Sequence, residues 1–168
     1  MAIARSLHRA ASCWVLALLA WNIGSAQPVV GWVDNAKIYP GGIQVHARMD
    51  SGAKTSSLRP DNTETFERNG EIWIRMRIAD KKGRYRAFER PVVRFARIKQ
   101  HTGTPERRPV IMLRICVGDV YKEVEATVVR RSEFNYPLLV GRNYLAGSFL
   151  IDSAHTYTTK PTCTVTRH

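Results

Sequence analysis

The stretch Ile43-Gln44-Val45-His46-Ala47-Arg48-Met49-Asp50-Ser51-Gly52-Ala53 decides how this chain is read. Its apolar residues Ile43, Val45, Ala47 and Met49 fall at every second position, the period of a strand with one buried face. The alternation stops at Asp50-Ser51-Gly52. Glycine needs no Cβ clearance and a serine hydroxyl can bind neighbouring backbone, so the chain turns sharply here and leaves a carboxylate at the strand tip.

A second informative segment is Tyr136-Pro137-Leu138-Leu139-Val140-Gly141-Arg142-Asn143-Tyr144-Leu145. It reads as a buried apolar strand that stops at Gly141 and opens a short helix over Arg142 to Ala146, ended by Gly147. Between the two segments, turn signals recur at Asn69-Gly70, Lys82-Gly83 and Gly118-Asp119, with Pro40-Gly41-Gly42 ahead of them. They separate runs of strand length. Glu71 to Ala79 carries Ile72, Ile74, Met76 and Ile78 on one face, which places Trp73 on the other in a packing role. Val110 to Cys116 and Val120 to Val129 flank Gly118-Asp119, while His101 to Arg108 is polar and should form an exposed loop. With no repeat and no internal linker, one all-β, closed-barrel domain with a single short helix near the C-terminus is expected.

Asp50-Ser51-Gly52-Ala53 followed by a hydrophobic-hydrophobic-Gly strand resembles the retropepsin-like aspartic proteases. The likeness extends through Lys54-Thr55-Ser56-Ser57-Leu58, the Phe66-Glu67-Arg68-Asn69-Gly70 turn, Arg108-Pro109-Val110-Ile111 and Leu139-Val140-Gly141-Arg142. These are similar to a retropepsin-like bacterial group labelled ATP-dependent zinc protease, some members of which accompany ATP-grasp peptide ligases. It runs from about Val30 to about Tyr157. Peptide hydrolysis without a covalent intermediate needs a base to activate water and an acid to polarise the carbonyl, and two close carboxylates sharing one proton supply both. The chain has one such turn and is about one lobe long, so the resemblance implies a homodimer in which each subunit contributes Asp50. It further implies that Ser51 locks the paired turns, that Gly52 lets backbone approach the substrate, and that Leu139-Val140-Gly141 backs the turn as an apolar wall. Asp152-Ser153-Ala154 is a partial second copy that lacks the glycine, and reads as the end of a strand.

One departure from the retroviral pattern bears on specificity. Where those enzymes place an acid after the turn, this chain has Lys54, while Arg142 is retained, so the usual acid-arginine pair cannot form from these residues. Ala53, Lys54 and Arg142 are then expected to contact substrate, the two cations receiving carboxylates of an acidic peptide. The competing reading pairs each cation with another acid, such as Asp61 or Glu67.

Composition places these features in a compartment. Arg5 and Arg9 precede the apolar run Cys13 to Ile23, and Gly24-Ser25-Ala26 supplies the small residues of a cleavage site, so residues 1–26 read as a secretory signal and 27–168 as the peptidase domain. The apolar core is too short for a comfortable membrane span, and no transmembrane segment is expected in the mature chain. Arg5 and Arg9 leave with the signal, so the formal charge of +12 falls to +10. That charge favours anionic partners. Export and the lack of basic residues interleaved with aromatics argue against nucleic acid. Periplasmic or secreted placement suits acidic peptides, cell-wall polymers or anionic lipid. Cys116 and Cys163 remain after cleavage; a disulfide between them would contribute about 4 kcal/mol at best, and the alternative is two separate thiols.

No cofactor is expected. His46, His101 and His155 are scattered without a close ligand pair, and no glycine-rich phosphate loop occurs; Gly52-Ala53-Lys54-Thr55 mimics only its last residues. The alternatives to an aspartic peptidase are a non-catalytic module of the same fold that binds an anionic peptide or cell-wall polymer, and a zinc hydrolase.

Overall fold

The computed structural model describes residues 26–98, 105–129 and 135–164. The expected signal segment lies almost wholly outside them, as do residues 101–104 of the expected loop. No helix among the described residues is long and apolar enough to cross a membrane.

Among the described residues eleven strands and one helical turn follow in order: β1 (Val29–Tyr39), β2 (Ile43–Met49), β3 (Ser56–Leu58), β4 (Asn62–Arg68), β5 (Glu71–Ala79), β6 (Tyr85–Pro91), β7 (Arg94–Ile98), β8 (Glu106–Val117), β9 (Val120–Val128), β10 (Leu138–Val140), α1 (Arg142–Leu145) and β11 (Leu150–Thr156). The larger sheet has the order β11-β1-β2-β10-β3-β9-β8-β7, and β8 also pairs with β1. That last pairing closes a six-stranded barrel, β1-β2-β10-β3-β9-β8, and leaves β11 and β7 as the ends of the sheet. The retropepsin-like all-β barrel expected from sequence is the fold observed.

The alternation that marked β2 is realised, with Ile43, Val45, Ala47 and Met49 all buried. The Asn69-Gly70 hairpin also forms, both residues in the left-handed region at φ 53° and 78°, as a turn matching strand twist requires. β4, β5 and β6 make a separate three-stranded sheet whose Ile74, Met76, Ile78 and Phe88 share the barrel's hydrophobic core. Ile72 departs from its expected face and is 46% exposed, because it lies beside the hairpin tip. Trp73 is half-buried on the opposite face, under the Arg68 guanidinium at 4.5 Å.

Three boundaries differ from the sequence reading. Glu106, Arg107 and Arg108 belong to β8 instead of a loop, because their backbone pairs with Ile98, Arg97 and Ala96 of β7. Polar composition does not forbid a strand whose backbone finds a partner. Asp152 lies inside β11, not at a strand end, since β11 runs parallel to β1 and continues to Thr156. The helix is shorter than expected by one residue, Ala146 being its cap, and Gly147 follows at φ 72°.

The C-terminal segment is tied back at two places. Cys116 and Cys163 form a disulfide, with Thr162 N donating to Gly118 O at 2.7 Å beside it. Fully buried Asp34 accepts from Gly31 N, Asn35 N, Thr158 Oγ1 and Thr159 N, which satisfies a carboxylate that would be costly if buried alone.

Candidate active site

Closure of the barrel places β10 between β2 and β3, the two strands that flank the Asp50 turn. It pairs parallel with β2, Val140 opposite Met49, and antiparallel with β3, Leu138 opposite Leu58. Leu138 and Val140 are fully buried and Leu139 nearly so, so the turn rests against an apolar wall. Asp50 N donates to Val140 O at 2.9 Å. The turn then closes on its own acid: Asp50 Oδ1 accepts from Gly52 N at 2.9 Å and Ala53 N at 3.1 Å. Two backbone donors on one oxygen fix the carboxyl plane. Among the described residues no donor reaches Oδ2, and Asp50 is half-buried. A Cβ on Gly52 would stand 3.1 Å from Asp50 Oδ1, so the glycine leaves room for the carboxylate.

Ser51 and Gly52 are exposed, and their carbonyls face Arg142. Arg142 Nη1 donates to Ser51 O at 2.7 Å and Gly52 O at 2.9 Å, and its backbone N to Ala53 O at 2.8 Å. The guanidinium therefore braces the turn while remaining exposed at the mouth of an adjoining cleft. Lys54 lines the same cleft of about 550 Å³, together with Thr55, Arg94, Glu125 and Asn143. Among the described residues neither Lys54 nor Arg142 forms an ion pair; Asp61, one alternative partner, instead accepts from Ala79 N.

Sequence reading missed the bracket that holds the two halves together. Gly141 N donates to Ser56 Oγ at 3.0 Å, and Ser56 Oγ and N donate to Asn143 Oδ1 at 2.8 and 3.0 Å. Asn143 Nδ2 reaches Glu125 O at 2.8 Å, joining α1 to β9. The signal was present in the Gly141-Arg142-Asn143 run, but its partner Ser56 carried no local mark. Tyr144, fully buried, anchors the helix by donating to Val120 O at 2.8 Å and accepting from Val117 N, and burial holds its phenol well above the usual range.

His101 lies outside the described residues; His46 packs on Tyr157 with ring centroids 4.7 Å apart and the rings tilted by 55°, and His155 Nδ1 contacts Asp152 at 2.7 Å. Among the described residues no three His, Cys, Asp or Glu side chains gather as a metal-binding group.

A barrel that presents a backbone-clamped Asp-Ser-Gly-Ala turn, backed by a Leu-Val-Gly strand, is matched by one family model. The RimB-like family, described as retropepsin-like aspartic endopeptidase RimB, matches residues 29–162. The chain belongs to this family. Among curated relatives, a Desulfotalea psychrophila protein named probable alpha-L-glutamate ligase is 33% identical over 114 residues, 66% of this chain and 24% of its own length. A Shewanella pealeana protein of the same name is 33% identical over 116 residues, 67% of this chain and 25% of its own. This RimB-like chain thus spans about a quarter of the length of those relatives. A crystal structure of a Legionella pneumophila protein of unknown function superposes with a TM-score of 0.66 at 30% identity, covering 79% of this chain and 98% of that one.

Proposed function

We propose that this chain is an exported aspartic endopeptidase that acts as a homodimer on acidic peptides. The observation that carries the reading is the Asp50 carboxyl, with Oδ1 held by Gly52 N and Ala53 N and Oδ2 left for water or a second carboxyl. Two such turns related by a two-fold axis would share one proton. The ionised member draws a proton from the attacking water, and the protonated member donates to the carbonyl oxygen of the scissile bond. Family membership supports the aspartic chemistry. Lys54 and Arg142 beside the turn support an acidic substrate, and so does the relatives' name, which concerns α-L-glutamate. The substrate class we propose is peptides containing α-linked glutamate. The Cys116–Cys163 disulfide supports an oxidising compartment, in keeping with the signal read in residues 1–26.

The test compares wild type with Asp50→Asn on glutamate-rich and neutral peptides. The amide oxygen can still accept from Gly52 N and Ala53 N, so the fold persists, but it cannot act as base; cleavage falls on the order of 10² or more. Undiminished cleavage by a folded Asp50→Asn protein would end the catalytic reading and favour a binding module. Activity removed by a chelator and restored by zinc would replace the aspartic mechanism.

A further inference from the structure

The cleft beside the Asp50 turn contains a charge arrangement that the proposed dyad does not use. Glu123 and Glu125 line it, and each is already held by an arginine: Arg114 Nε meets Glu123 Oε1 at 2.9 Å, while Arg94 donates Nε to Glu125 Oε1 at 3.0 Å and Nη2 to Glu125 Oε2. Each acid of the cleft is thus paired, Glu125 with Arg94 of the lining and Glu123 with Arg114 outside it. Lys54 and Arg142 enter no ion pair among the described residues, which leaves the cleft net positive. The Arg94–Glu125 contact is a two-pronged guanidinium-carboxylate pair, the geometry arginine offers to any carboxylate. Both side chains are accessible, at 48% and 39% exposure.

We propose that this cleft is the subsite for a substrate glutamate side chain, and that Glu125 is the resident occupant of Arg94 that the substrate carboxylate displaces. The proposal rests on the acidic-peptide reading above. Exchanging one carboxylate for another on the same guanidinium keeps the number of charge-assisted hydrogen bonds, and Lys54 and Arg142 attract the incoming anion. Glu125 can leave without moving its strand, because Asn143 Nδ2 holds Glu125 O and Met112 pairs with Glu125 across β8 and β9. If Glu125 acted only through its negative field, Glu123→Gln in the same cleft would tighten an anionic ligand equally.

Fluorescence anisotropy of labelled oligo-α-glutamate on the full-length Asp50→Asn protein reads binding without turnover, with oligoglutamine of equal length as control. Glu125→Gln, added to that background, should tighten oligoglutamate about threefold, the worth of one exposed ion pair. Arg94→Gln should weaken it by about threefold or more, with Arg94→Lys losing less, and all differences should shrink with added salt. Unchanged or weaker binding on Glu125→Gln, or equal binding of oligoglutamine, overturns the exchange subsite. Wild-type hydrolysis is scored separately. The expected binding order without any turnover would remove the peptidase reading and keep the subsite, whereas turnover with charge-indifferent binding would do the reverse.

Discussion

Gly141 lies against the backbone of Thr55 so closely that a Cβ on it would stand 2.7 Å from the Thr55 carbonyl carbon and 2.9 Å from Ser56 N. Contact at that range is what lets Gly141 N reach Ser56 Oγ and Arg142 N reach Ala53 O. The strand behind the Asp50 turn is thereby locked to the segment that leaves it.

Gly141→Ala should therefore be costly. The obstructing atoms are backbone at the entry to β3, a strand paired with both β9 and β10, so neither side yields easily; overpacking of this kind costs about 1–3 kcal/mol. Urea unfolding should show that loss, and peptide cleavage should fall along with it because Gly141 carries Arg142, whose guanidinium braces the Ser51 and Gly52 carbonyls of the Asp50 turn.

The proposed dyad would make activity depend on dimer formation, because each chain supplies one Asp50. Specific activity should drop on dilution through the dissociation range, and mixing wild type with Asp50→Asn should poison the wild type beyond simple dilution. Sedimentation alongside the assay checks it; concentration-independent cleavage by a monomer would contradict it.

The disulfide closes 47 residues of separation, so reduction or Cys163→Ser should lower unfolding free energy by about 2–4 kcal/mol. Thr158 and Thr159 remain bonded to Asp34. The loss should thus appear in the urea midpoint, while cleavage well below the melting temperature is retained, and reductant should not further alter the Cys163→Ser midpoint.

Asp80 sets an acid limit on stability. Hydrogen bonds from Arg84 N, the Arg84 side chain and Lys82 N lower its pKa from 3.8 to about 2, against the opposing effect of burial. A depressed carboxylate pKa stabilises the fold above the unfolded value and loses that contribution as pH falls through the folded one. Stability should decline between about pH 4 and pH 2, and Asp80→Asn should be less stable at neutral pH with a shallower decline in that window, read by thermal melting across pH.

The local period of Ile43 to Met49, the glycine after Asp50, the Asn69-Gly70 hairpin and the Leu139-Val140-Gly141 run were all legible in the sequence, because each is set by residues within a few positions of one another. Asp50 and Arg142 could each be singled out in the same way. Their relation could not: Arg142 reaches the carbonyl of Ser51 from 91 positions away, and only the insertion of β10 between β2 and β3 brings it there. The Glu106–Arg108 strand, the Ser56–Asn143 bracket and the Arg94–Glu125 pair likewise depend on partners that no local pattern encodes. The sequence by itself determined the strands marked by an apolar period, where the chain turns and which acid stands at a tip, since steric and hydrophobic periodicity act locally. Tertiary structure decided which strands lie side by side, that the barrel closes through β1 and β8, and which charges share a cleft, since those follow from long-range pairing that buries one common core.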